Sequence, residues 1–135
     1  MEFQVYRDLV QQAAQLADQG HLKESVEAYY KLLLSEVSDI DKAALSGNMA
    51  LVYDKMGNTD EALAWFDKGI SGEQTYCRYE VAEKKAKYLS TLGQNAEAAG
   101  IYETLIKQPF VSEAEKDRMR LIVKTLLSKT LGGWK

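Results

Sequence analysis

One proline, one cysteine and one histidine are all that this 135-residue chain contains of the three residues that most often mark staples, redox centres and acid–base sites. A single cysteine closes no internal disulfide, which excludes a disulfide-stapled secreted domain and points to a reducing, cytoplasmic compartment. No metal is expected, because metal sites need several convergent ligands and this chain has neither a His pair nor a Cys cluster. His21 reads as an exposed turn residue. Cys77 reads as a small apolar residue near the start of a helix. No stretch approaches the roughly 18 apolar residues of a membrane span, and Met1 to Asp8 lacks the basic start and apolar core of a signal peptide. Seventeen Lys and Arg against twenty Asp and Glu give a net charge of −3, so there is no basic surplus for phosphates and no nucleic acid is expected. Gly132-Gly133 precedes no helix, and Gly69, Ser71 and Gly72 follow no strand, so neither forms a phosphate-binding turn. The expectation is a protein that is not an enzyme and carries no cofactor.

What remains is helix-forming and repetitive. At 46% hydrophobic and 27% charged residues the chain can bury a core as one soluble domain, 1–135. Gly57-Asn58-Thr59-Asp60-Glu61-Ala62-Leu63-Ala64-Trp65-Phe66 has a counterpart on each side, beginning at Gly20 and at Gly93. The glycines are spaced by 37 and 36 residues. The glutamates Glu24, Glu61 and Glu97 keep those offsets, as do the small residues Ser25, Ala62 and Ala98 and the aromatics Tyr29, Phe66 and Tyr102. A period of this length marks stacked supersecondary units.

Apolar spacing of three and four predicts seven helices. The first runs from Phe3 to Gln19, with Tyr6, Leu9, Val10, Ala13, Leu16 and Ala17 on one stripe. Gly20 stops it, and a second runs from Leu22 to about Val37. Ser38 to Asp41 offers N-cap residues to a third helix over Lys42 to Met56. A fourth is predicted from Asp60 to Ile70, bracketed by Gly69 and Gly72, with Ser71 and Gln74 as the capping box of a fifth that runs to Leu92. A sixth spans Ala96 to Lys107, ahead of Pro109. Ser112 and Glu115 form the capping box of a seventh, carrying Met119, Ile122, Val123, Leu126 and Leu127. Leu131 to Lys135 reads as a frayed tail. The unpaired seventh helix suits a lid with a polar outer face, since the last hairpin of a stack has no successor to cover it.

The residues that recur resemble the tetratricopeptide repeat family. Ala13, Ala50 and Ala86 stand seven before the glycines, where that family has a small residue. Ser25, Ala62 and Ala98 match its second small position, Tyr29, Phe66 and Tyr102 its aromatic one, and Leu16, Tyr53 and Leu89 its bulky apolar one. The resemblance implies an all-α, right-handed α-solenoid of three antiparallel helical hairpins plus one capping helix, with repeats at about 5–37, 42–74 and 78–111 and the cap over 112–131. The family unit is about 34 residues, so two or three extra residues per unit are expected between hairpins. Lys85 stands where the family has an apolar residue.

The resemblance also implies a function: the first helix of each hairpin lines a concave groove that holds a peptide or helix of another protein. Carried over, that groove is Arg7, Val10, Ala14 and Ala17, then Ala44, Gly47, Asn48, Leu51 and Lys55, then Glu80, Glu83, Lys84 and Lys87. A carboxylate clamp of the chaperone-binding kind is not expected, because Val10, Ala14 and Glu80 occupy three of its five positions and only Asn48 and Lys84 agree. The small apolar middle suits an apolar or amphipathic partner segment instead. The expected role is an adaptor, scaffold or co-chaperone-like module. A self-associating structural oligomer, or a three-repeat secretion-type chaperone, is the alternative.

Overall fold

The computed structural model describes residues 1–132. Among them the chain is helical with no strand: α1 (Phe3–Asp18), α2 (Leu22–Leu33), α3 (Asp39–Lys55), α4 (Thr59–Gln74), α5 (Glu80–Thr91), α6 (Asn95–Ile106) and α7 (Glu113–Gly132). None of these helices is long and apolar enough to cross a membrane. Two compact units divide inside α5, one over Met1–Val81 and the other from Ala82 onward.

Three turns share one construction. Gly20, Gly57 and Gly93 have φ of +85°, +76° and +79°. In each case the amide after the glycine donates to a carbonyl five residues back: His21 to Leu16, Asn58 to Tyr53 and Gln94 to Leu89, at 2.8–2.9 Å. This is the hydrogen-bonded helix end that needs a left-handed residue, and glycine supplies it without a Cβ penalty. A fourth helix end uses the same scheme without glycine. Arg78 donates its amide to the Glu73 carbonyl at 3.1 Å, and Cys77 takes φ +58°. Cys77 therefore lies exposed in the connection between α4 and α5, not in the first turn of a helix as its sequence position suggested. A side chain in that conformation costs about 1–2 kcal/mol, against about 0.5–1 kcal/mol of extra chain entropy for glycine. Cys77→Gly is expected to raise stability by about 0.5–1 kcal/mol in urea melts; a loss would show that the thiol makes a compensating contact.

The first unit packs consecutive helices, α1 on α2, α2 on α3 and α3 on α4, as a helical repeat requires. Ala13, Ser25, Ala50 and Ala62 are all fully buried, and the Ser25 hydroxyl donates to the Ala13 carbonyl at 2.7 Å where α1 meets α2. Tyr29 and Phe66, four residues after Ser25 and Ala62, are buried as well, as are Leu45 and Met49. In the second unit Ala86, Ala98 and Tyr102 are buried, α7 packs on α6, and Met119 and Leu126 of α7 are buried.

Several boundaries differ from the sequence reading. Helix α3 begins three residues early because Ser38 Oγ accepts the Asp41 amide at 3.1 Å. Helix α2 stops at Leu33, so the connection to α3 comprises Leu34 to Ser38. The largest correction is α4, which continues to Gln74. Ser71 and Gln74 lie inside it and cap nothing. Gly69 and Gly72 are places of close approach: a Cβ on Gly69 would stand 2.8 Å from Val81 Cγ1 and 2.9 Å from the Ala43 carbonyl oxygen, and one on Gly72 3.3 Å from Ala43 Cβ. The N-terminus of α5 is capped from a distance. Buried Glu73 accepts the Val81 amide on Oε1 at 2.9 Å, a cap supplied by the preceding helix. Ser112 Oγ caps α7 through the Glu115 amide as expected, but the Glu115 side chain pairs with Arg118 Nε at 2.6 Å instead of completing the box. Leu127, placed on the buried stripe of α7 by its spacing, is exposed, as is Leu92 at the end of the third glycine-turn helix. Leu131 and Gly132 belong to α7 and not to a tail, while Gly133, Trp134 and Lys135 lie outside the described residues.

Candidate interaction surface

Five of the expected groove residues converge in the first unit. Ala14 and Ala17 on α1, with Asn48, Leu51 and Lys55 on α3, line one cavity of about 180 Å³, whose remaining walls are Asp18, Tyr29 and Val52. They converge because α1 and α3 each present a helical row at intervals of three and four residues. Ala14 and Ala17 give that row a floor with little side chain, and buried Gly47 lies one residue before Asn48. Leu51 stands exposed beside them, a large apolar group left to solvent. Asp18 and Lys55, the last residues of α1 and α3, form an ion pair at 3.2 Å. Two exposed side chains of this kind contribute at most about 1 kcal/mol, so the pair orients the helix ends more than it stabilises them.

The other expected residues are placed differently. Val10 and Ala44 are half-buried and do not line this cavity. Arg7 is exposed and stacks its guanidinium over the Phe3 ring at 5.7 Å. Glu80, at the start of α5, pairs with Arg78 at 3.6 Å. Lys84 is half-buried and Lys87 exposed on the same helix. Glu83 is engaged within the second unit. Arg118 of α7 donates to both of its carboxylate oxygens, from Nη2 to Oε1 at 2.5 Å and from Nη1 to Oε2 at 3.2 Å. The Tyr102 hydroxyl donates to Oε2 as well, at 3.2 Å. Burial pushes the Tyr102 phenol up to about 12, and the charge and hydrogen bond of Glu83 add to that, with Arg118 opposing. The same Glu83 and Glu115 carboxylates hold Arg118 above its ordinary value. A Glu83 held in this fork ties α5, α6 and α7 together and has few lone pairs left for a ligand. Periodicity alone could not show this, because Arg118 is 35 residues away.

Tyrosines also mark the first unit. Tyr6 on α1 is pushed up to about 12, first by burial and then by the Asp41 charge and by Tyr29. The Tyr76 hydroxyl donates to Asp39 Oδ2 at 3.1 Å, fastening the α4–α5 connection to the start of α3, and that bond raises its pKa. His21 is exposed at the N-terminus of α2 with Nδ1 at 3.9 Å from Glu24. Among the described residues no group of three or more His, Cys, Asp or Glu is arranged to hold a metal.

Residues 11–94 match the model of a family described as Domain of unknown function (DUF6340). That span is well over half of the chain. The chain belongs to the DUF6340 family. The DUF6340 match begins within α1 and ends in the turn after α5, so it contains the whole cavity between α1 and α3. No curated protein and no solved structure matches this DUF6340 chain.

Proposed function

We propose that this DUF6340 chain is a non-enzymatic protein-interaction module of the tetratricopeptide kind, its hairpins α1–α2 and α3–α4 stacking with right-handed twist. Its α1–α3 surface takes a short apolar or amphipathic segment of another protein. The observation that supports this reading is the cavity itself, in which small residues of α1 and the exposed Leu51 of α3 form an apolar strip flanked by the polar Asn48 and the Asp18–Lys55 pair. An apolar floor with a few polar groups at its edge fits an amphipathic ligand, whose apolar side chains enter the strip while its backbone or polar face meets the rim.

Leu51→Glu tests the reading. The substitution puts a charge in the strip at a position that contributes little to the core, so melting should change by no more than about 0.5 kcal/mol. Capture of partner proteins from lysate by the immobilised chain, read by mass spectrometry, should nevertheless be lost. If the captured set is the same for wild type and Leu51→Glu at equal helicity, the α1–α3 surface is not where partners bind.

A further inference from the structure

The opposite flank of α1 carries a second apolar row, independent of the α1–α3 strip. The sequence places Leu9 and Leu16 on one stripe with Ala13 and Ala17, yet α1 has two apolar faces. Ala13 and Ala17 are buried, whereas Leu9 is 36% exposed and Leu16 half-buried. Leu9 and Leu16, with Ala28 and Leu32 of α2, line a cavity of about 420 Å³. Met1 also reaches it, 51% exposed.

The rim of that cavity carries both signs. Glu24, Glu27 and Lys31 of α2 edge it, each exposed. Glu24 already has His21 beside it at 3.9 Å. Glu27 and Lys31 are one helical turn apart on the same face. An anionic helix laid along the flank would meet Glu27, and a cationic one would meet Lys31. A surface of the same composition laid down in the reverse direction meets neither problem. A two-fold axis lying in the face and perpendicular to the helices, at the level of the turn between residues 27 and 31, sets α2 antiparallel on α2 of a second copy. Glu27 then faces Lys31 of the second copy, and the pairing occurs twice, as an isologous interface demands. The same operation brings the Leu9 and Leu16 rows together, so that apolar side chains meet in the middle and charges lie at the edge.

We propose that two copies of this chain associate through the α1–α2 flank, with Leu9 at the centre and reciprocal Glu27–Lys31 pairs at the rim. This leaves the α1–α3 strip of each copy open and does not depend on what that strip binds.

Analytical ultracentrifugation of the full chain across a wide concentration range tests it. The wild type is expected to pass from monomer to dimer as concentration rises. Leu9→Glu, which places two like charges in the apolar centre, should weaken the dimer by roughly a hundredfold or more, and Leu9→Gln by less. Glu27→Lys alone and Lys31→Glu alone each set like charges opposite one another and should weaken it by roughly tenfold, while the combined Glu27→Lys/Lys31→Glu chain should recover wild-type dimerisation. Because residues 27 and 31 are solvent-exposed, these swaps preserve the fold even if Leu9→Glu does not, and a thermal melt on each variant verifies that. A wild type that remains monomeric at every concentration overturns the proposal and leaves the flank to another chain. A dimer indifferent to Leu9, or a double swap as weak as the single ones, overturns it too.

Discussion

Phe66→Ala is expected to cost about 3–5 kcal/mol of unfolding free energy in urea or guanidinium melts. The ring is fully buried in α4 and is the largest fully buried side chain among the described residues. Removing it leaves a void that a closely packed interior can only partly fill. For a domain whose whole stability is about 5–15 kcal/mol, such a loss moves the melting midpoint by many degrees or abolishes folding. The small residue four positions earlier makes the complementary statement. Ala62 is fully buried in α4, which packs on α3, so Ala62→Leu overpacks the core and should cost about 1–3 kcal/mol. A neutral Phe66→Ala would mean that the ring is not buried in the core.

Those two positions were legible because their constraint is local and recurs. Glycine closes three helix ends with the same hydrogen bonds, and the small and aromatic columns follow at fixed offsets, so each unit reports on the others. The end of α4 was not legible for the converse reason. Glycine has two physical uses, left-handed φ and close approach, and the sequence Gly69-Ile70-Ser71-Gly72 shows no sign of which applies. Only the neighbouring Ala43 and Val81 decide it, and they are 26 and 12 residues from Gly69. Once α4 is allowed to reach Gln74, Glu73 becomes available as the cap of α5 and Cys77 takes the left-handed position that glycine holds at the other turns.

The candidate surface shows the same division. Ala14 with Ala17, and Asn48 with Leu51 and Lys55, share one face of α1 and one of α3 by helical spacing, and the family resemblance named the two faces as one surface. The family resemblance assigned Glu83 to the same surface, but a bidentate guanidinium from α7 and the Tyr102 hydroxyl engage it, and neither partner leaves a trace in the local period. The second apolar flank of α1 was hidden by the opposite effect. Leu9 and Leu16 fit the helical period well enough to be counted with the core, and only their exposure separates the two faces.

Gly69→Leu is expected to be the most damaging single change at a glycine in α4, with a loss of about 3 kcal/mol or more. Even a methyl group there would meet Val81 Cγ1 at 2.8 Å and the Ala43 carbonyl oxygen at 2.9 Å. The two obstacles differ in kind. Val81 can be shortened, and Gly69→Ala/Val81→Ala should recover part of what Gly69→Ala loses. The Ala43 carbonyl belongs to the backbone of α3 and cannot rotate away, so recovery stays incomplete unless α3 and α4 separate. Helix propensity acts in the other direction, since replacing an interior helical glycine by alanine contributes about 1 kcal/mol. Gly100 in α6 isolates that contribution, because a Cβ there meets nothing within 4 Å. Gly100→Ala should therefore stabilise the chain by about 0.5–1 kcal/mol while Gly69→Ala destabilises it, the same substitution in two helices with opposite sign. Denaturant melts in which both changes stabilise the protein would show that α4 does not approach α3 and Val81 closely at Gly69, and the account of why this helix continues through two glycines would fail with it.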